Sequence, residues 1–317
     1  MNGSVTSAFD ELEDFGAAIR AEGWLNLLIT GRGRFHARLT QVTLHSLRLS
    51  ATEEHLARIA FLTVPADMAL ITLPVDGAPL PVYGGIAIRD GEIIILSPGE
   101  QTHARTGGFS RVGTICLPVK ELVRFGDALT GGGFAIPPAV HRWRPSPKLG
   151  RDLRSLHAAA IRMAAIRPRT LINAEAAHGL QQQLIHAMVD CMAAGSAITA
   201  TQSGRRHQDI MVRFEHLLHL QPGRAIRVAE ICTALDVSER LLRSLCAEHL
   251  GMGPISYDRL RRMSLVRHTL RRVDGDETSV SAVARRYGFR SPGRFAVNYR
   301  AAFGDSPSTT LRRGDDR

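Results

Sequence analysis

Arg240, Arg243 and Ser244, in the run SERLLRS at 238–244, are the side chains whose type and spacing are best suited to a chemical task. An arginine fork can donate two hydrogen bonds to guanine O6 and N7, worth ~1–3 kcal/mol of base discrimination per good pair. On a helix, positions 239, 240, 243, 244 and 247 share one face, while Leu242, Leu245 and Cys246 turn inward. Ser238 stands where an N-cap is needed, and a helix N-terminus also favours an anion. A second set follows in YGFRSPGRFAVNYR: Arg290, Ser291, Arg294, Asn298 and Arg300. These suit phosphate oxygens, contacts that position a nucleic acid without specifying its sequence.

Competing chemistries find little support. His216 and His219 have helical spacing but lack a third ligand, and the four cysteines, Cys116, Cys191, Cys232 and Cys246, show no CxxC spacing. Gly131, Gly132 and Gly133 are not followed by Lys and Ser or Thr, so a phosphate-cradling loop is not expected. No nucleophile elbow or Ser/His/Asp set stands out, and the chain is not expected to be an enzyme. The 317 residues are 44% apolar and 22% charged, a globular composition with room for two domains. No apolar run reaches the roughly 20 residues of a membrane-spanning helix, and the acidic N-terminus does not read as a signal peptide, so a cytoplasmic location is expected. Net charge is +10, carried by 38 arginines and two lysines. Residues 211–317 hold 19 arginines against 12 acids, a surplus of seven, which points to a polyanionic partner.

The elements that must position these residues can be read from periodicity. Residues 24 to about 120 alternate as strands do, with Val42, Leu44, Leu47 and Leu49 in one run. IAIRDGEIIILSPG predicts a hairpin, with Ile86 and Ile88 facing Ile93 and Ile95 across an Arg89-Asp90-Gly91 turn. A loop-rich stretch at 130–150 precedes two helices, one ending near Pro168 and one carrying Leu180, Leu184, Met188 and Cys191 on a single face. The small polar run 194–206 reads as a linker. Beyond it one plan occurs twice. Val228, Ile231 and Leu235 line a short helix, Asp236 takes the turn, Val237 plugs the gap and Ser238 caps the next helix. Then Val280, Val283 and Ala284 line a short helix, Gly288 takes the turn, Phe289 is the plug and Ser291 the cap. Phe295, Tyr299 and Phe303 form the inward stripe, and the two caps are 53 residues apart. A helix over 255–272, buried through Ile255, Leu260, Met263, Val266 and Leu270, would hold the two units at a fixed separation. This is a doubled helix-turn-helix plan.

The doubled unit resembles the DNA-binding domain of the AraC/XylS family of bacterial transcription regulators, through Ala284, Gly288, Phe289, Phe295, Phe303, Gly304 and Pro307. The resemblance covers roughly 209–313. It implies an α+β chain of two domains: a β-rich, cupin-like barrel with following helices at 1–193 for effector binding and dimerisation, a linker at 194–206, and an all-α DNA-binding domain at 207–317. It also implies double-stranded operator DNA and RNA polymerase as partners, an activator more than a repressor, a small-molecule effector, a homodimer through the helices at 151–192, and a nucleoid-associated location. PGEQTH, residues 98–103, resembles a cupin strand turn. His36 and His45 do not fit a cupin metal set, so neither metal nor other cofactor is expected. Two departures stand out: Asp236 replaces a usual glycine, and Pro292, Gly293, Ala296 and Val297 occupy places where relatives present polar base-reading residues. The rival readings are a cupin-type catalytic or structural protein with a degenerate DNA-binding module, and an alkyl-transfer DNA-repair protein. The latter needs a four-cysteine zinc site, whereas the N-terminal part holds only Cys116 and Cys191.

Overall fold

The computed structural model describes residues 2–19, 24–75, 77–136, 141–198, 201–273 and 278–315. The N-terminal region runs through β1 (Gly3–Phe9), α1 (Leu12–Ile19), β2 (Trp24–Ile29), β3 (Ala37–Leu44), β4 (Leu47–Glu54), β5 (Arg58–Thr63) and β6 (Met68–Pro74). It continues with β7 (Val82–Tyr83), β8 (Ile86–Ala87), β9 (Ile93–Leu96), β10 (Gln101–Thr106), β11 (Ser110–Pro118) and α2 (Val119–Thr130). Then come β12 (His141–Arg144), α3 (Pro147–Ile166), α4 (Ala174–Ala193) and β13 (Ser196–Ile198). The strands form two sheets, ordered β1-β3-β4-β11-β6-β9-β12-β13 and β2-β5-β10-β7-β8.

The larger sheet is covered on both faces. Val42, Leu49, Ile71, Ile93, Ile95 and Ile115 pack on α3 and α4 through Leu153, Ala160, Leu184 and Met188. Leu70, Ile94, Leu96 and Cys116 point the other way, against Tyr83 and Ala104 of the smaller sheet. The chain is thus α+β with two domains, but its sheets face each other without closing into the barrel expected. The hairpin expected over 86–95 is also corrected. β8 pairs with β7 in the smaller sheet, whereas β9 pairs with β6 and β12 in the larger. The Arg89–Glu92 turn carries the chain between layers. A strand buried on both faces reads as a continuous apolar run, which periodicity alone does not tell from half of a hairpin.

The C-terminal region is helical: α5 (Gln202–Leu220), α6 (Val228–Leu235), α7 (Glu239–Leu250), α8 (Pro254–Leu270), α9 (Val280–Arg286), α10 (Pro292–Phe303) and α11 (Pro307–Asp315). Of the run 194–206, residues 196–198 form β13 on the larger sheet and 202–206 open α5, capped by Thr201; residues 199–200 lie outside those described. Likewise β12 lies within the stretch expected to be loop, while 137–140 are outside the description.

Two cores fill the helical region. Met211, Phe214, Ile231, Leu235, Leu242, Leu245 and Tyr257 make the first, and Leu28, Ile59 and Phe61 of the smaller sheet are part of it. Met263, Val266, Leu270, Val283, Phe295 and Tyr299 make the second. Helix α8 feeds both. Ile255 is 44% exposed rather than buried, and the charged Asp258, Arg261 and Arg262 take buried places instead. The last two are possible inside because each is paired: Arg261 with Glu215 at 3.0 Å and Arg262 with Asp258 at 2.8 Å.

Polar contacts also cross between the regions. Glu215 accepts hydrogen bonds from Asn26 Nδ2 (2.7 Å), the Tyr257 hydroxyl (2.7 Å) and Arg261 Nε (3.0 Å). Burial, and then the Glu215 carboxylate, pushes the Tyr257 phenol well above its usual pKa, so it stays a donor. Arg267 of α8 and Arg271, which caps its C-terminus, meet Glu11, just before α1, and Glu13 in its first turn. The His103 and His249 rings touch at 2.9 Å in a buried contact. Burial, with His249 beside it, pushes His103 down to about 3, and burial lowers His249 as well, so both are neutral at pH 7.

The doubled plan is visible in backbone bonds. Val237 N–H donates to Cys232 O (3.1 Å), and Phe289 N–H donates to Ala284 O (3.0 Å), the same five-residue closure after α6 and α9. Asp236 holds φ 55° and Gly288 φ 82°, both left-handed. At Gly288 a side chain would also crowd Gly223 O, 3.2 Å from a Cβ. Asp236 has only the conformational penalty to bear. Asp236→Gly is therefore expected to raise unfolding stability by about 0.5–1 kcal/mol, since relief of the left-handed cost outweighs the added freedom of the unfolded chain. Urea denaturation checks this; an unchanged or lower midpoint would contradict it.

Candidate nucleic-acid interface

Helix α7 starts where Ser238 Oγ accepts from Leu241 N–H at 3.2 Å. Its apolar side is sunk in the first core, so Arg240, Arg243 and Ser244 stand exposed on one outer face. Arg240 has no ion-pair partner among the described residues. Arg243 is held by Glu239, whose Oε1 accepts from Nε at 2.8 Å and Nη2 at 2.6 Å. That pairing was not read from the sequence. The pair is more than half exposed, and exposed pairs one helical turn apart are worth ~0.3–0.5 kcal/mol. A bidentate guanine contact at ~1–3 kcal/mol outweighs it, so the guanidinium can be exchanged from Glu239 to a base.

Helix α10 is placed by Phe295, Tyr299 and Phe303, whose rings stack on α8 and α11. Phe289 lies 4.9 Å from Phe295, the Tyr299 hydroxyl donates to Thr310 Oγ1 at 3.0 Å, and Pro307 opens α11. Arg262 lies over the Phe289 ring at 4.9 Å, and its Nη1 donates to Tyr287 O at 3.0 Å, tying the turn to α8. Ser291 is N-terminal to α10 as expected, but its side chain makes no capping bond. Pro292 follows it and has no N–H to satisfy, and the first helical bond runs from Phe295 N–H to Ser291 O at 3.0 Å. Arg290, Ser291, Arg294 and Arg300 are exposed, and Asn298 is half-buried.

Between the two units lies an open cleft of about 840 Å³. Arg290, Arg294 and Asn298 line it together with Arg227, Arg259 and Arg285, which the sequence reading did not select. Arg224 is there too, occupied by Glu230 at 2.8 Å, and Arg262 by Asp258. Arg227, Arg259, Arg285, Arg290 and Arg294 have no ion-pair partner among the described residues. Five uncompensated guanidinium groups around one concavity form a site for a polyanion. They come from a loop, α8, α9 and the start of α10, so no local motif announces them; the only sequence signal is the arginine surplus of this segment. Ser244 and Arg240 lie apart from the cleft, on α7.

Among the described residues no group of three or more His, Cys, Asp or Glu side chains could hold a metal. None of the described helices is long and apolar enough to cross a membrane.

Residues 231–313 match a family model described as a helix-turn-helix domain. Over 87 residues the chain is 41% identical to the XylDLEGF operon transcriptional activator 1 of Pseudomonas putida, an alignment that covers 27% of this chain and 25% of that one. It is 37% identical over 87 residues to a probable thc operon regulatory protein of Rhodococcus erythropolis, covering 27% and 26%. The chain thus spans about a quarter of the length of these curated relatives. The crystal structure of the AraC-like transcriptional activator CuxR superposes with a TM-score of 0.44 at 17% identity, over 82% of this chain and 94% of that one.

Proposed function

We propose that residues 231–313, which match a helix-turn-helix domain model and align with the XylDLEGF operon activator, are a DNA-binding domain of the AraC/XylS type, and that the whole protein is a sequence-specific DNA-binding transcription regulator, an activator rather than an enzyme. The carrying observation is the arginine cleft set between two helix-turn-helix units of the same backbone design. Helices α7 and α10 enter successive major-groove segments, about 34 Å apart along one face of B-DNA. The cleft arginines take the phosphates between them, and Arg240, Arg243 and Ser244 read bases. The same reading assigns the outer helices α3 and α4 to a homodimer and gives RNA polymerase as a partner on the promoter. The domains are divided between β13, which belongs to the larger sheet, and α5, which opens the helical region, in place of a linker over 194–206.

A small effector belongs to this reading. Between the two sheets is a cavity of about 100 Å³, lined by Leu27, Leu62, Leu70, Leu96 and Val112 together with Ser50, Thr52, Thr72, Thr114 and Tyr83; Ser50 and Thr114 hydroxyls bond each other at 2.6 Å and Thr52 donates to Val112 O. Arg58 lines it as well, but Glu54 neutralises it at 2.8 Å. This lining suits a small, neutral, mainly apolar molecule. Binding there would act on α7 and α8 through the smaller sheet, whose far face is part of their core.

Arg243→Ala tests the base-reading assignment. The variant is expected to bind its preferred duplex about 1–3 kcal/mol more weakly and to lose preference at one base pair. Competition binding against single-base substitutions measures both. Unchanged affinity with unchanged preference would remove Arg243 from the reading surface.

A further inference from the structure

Val297 is 71% exposed, a large apolar side chain standing at the middle of the outer face of α10. A lone exposed valine is ordinary on a protein surface. Its surroundings here are not. Arg294 and Arg300 stand three residues to either side of it, on the same side of the helix, and both are exposed. Arg290 and Arg294 continue into the arginine cleft. One turn before Val297 is Gly293, which has an ordinary φ and no atom within 4 Å of the place a Cβ would occupy. The fold therefore does not demand glycine there, although glycine in a helix is unfavourable. One turn after is Ala301, also exposed. The face is thus low in relief and apolar along its centre, with positive charge at both edges and no neutral hydrogen-bonding side chain on its crest.

Resting on the DNA-binding reading above, we infer that the second unit reads sequence through Val297, which packs against the C5-methyl group of thymine in the major groove. The chemistry fits in three ways. Thymine alone among the four bases places a methyl group on the major-groove edge, so an apolar contact there is sequence information without a hydrogen bond. The arginine-edged face is complementary to the two phosphate backbones that flank the groove. The small residues at 293 and 301 let the helix approach the base edges closely enough for a three-carbon side chain to reach a methyl. The two units then divide the task by chemistry: α7 selects guanine with arginine forks, and α10 selects thymine with an apolar contact.

The test uses full-length protein and duplexes that it selects from a random-sequence pool. Each thymine of a selected duplex is replaced in turn by deoxyuridine, which removes only the methyl group. Wild-type protein is expected to bind three- to tenfold more weakly when one or two thymines, on the α10 side of the site, lose their methyl. Val297→Ser is expected to bind thymine and deoxyuridine duplexes equally there; the side chain is on the surface, and an unchanged urea midpoint shows the fold intact. Wild-type binding indifferent to every replacement overturns the inference and leaves the DNA reading standing. So does Val297→Ser that keeps the wild-type sensitivity. A chain that selects no duplex at all overturns both.

Discussion

Replacing Glu215 by alanine should lower the unfolding free energy by about 3–5 kcal/mol, the scale for breaking a buried ion pair from one side. Glu215 is 4% exposed and is the sole carboxylate against buried Arg261 among the described residues. Its removal leaves a guanidinium without a counter-charge in a core, with only Leu218 O (3.1 Å) and His219 Nδ1 (3.3 Å) still accepting from it. It also strands the Tyr257 hydroxyl, which is fully buried, and releases Asn26 across the contact between sheet and helices. Replacing both members, Glu215→Leu with Arg261→Met, should restore most of the loss, because the desolvation penalty goes with the charges. Urea unfolding at pH 7 measures both variants. A loss under about 1 kcal/mol for Glu215→Ala would show that the cluster does not hold the first unit to the smaller sheet.

That cluster shows what the sequence could and could not disclose. The doubled helix-turn-helix was legible because its signals are local. A left-handed turn residue, an apolar plug, a cap and an inward stripe all fall within about 20 residues, and the set recurs. Asn26 and Glu215 are 189 positions apart, and Glu11 is 260 from Arg271. Such pairs leave no periodic trace, since each partner taken alone is a charged or polar residue of the kind that usually faces solvent. The same holds for the cleft, where Arg227, Arg259 and Arg285 meet only through the fold. Helix α8 misled for a related reason. Its apolar residues suggested one buried stripe, whereas pairing lets Asp258, Arg261 and Arg262 go inside and Ile255 stay out. In the N-terminal region, turn residues ahead of an apolar run suggest a hairpin for β9 that the fold does not make. The run is apolar at every position, with Ile93 and Ile95 under helices and Ile94 and Leu96 under a second sheet.

The salt dependence of DNA binding should be steep, and it is the most direct test of the central claim that this is a two-unit DNA reader gripping phosphate between its units. If each of the five unpaired cleft arginines neutralises one phosphate, log K falls against log salt with a slope of about −4.5 for duplex DNA. Affinity then drops about 500-fold between roughly 50 and 200 mM monovalent salt. Replacing Arg259 and Arg285 together by alanine removes two such contacts, so the slope should become shallower by about 2 while base preference is kept. The measurement is a titration of a selected duplex with full-length protein, wild-type and doubly substituted, at several salt concentrations. The account predicts the steep slope and its reduction by about 2. No binding at low salt, or binding indifferent to salt, would contradict it.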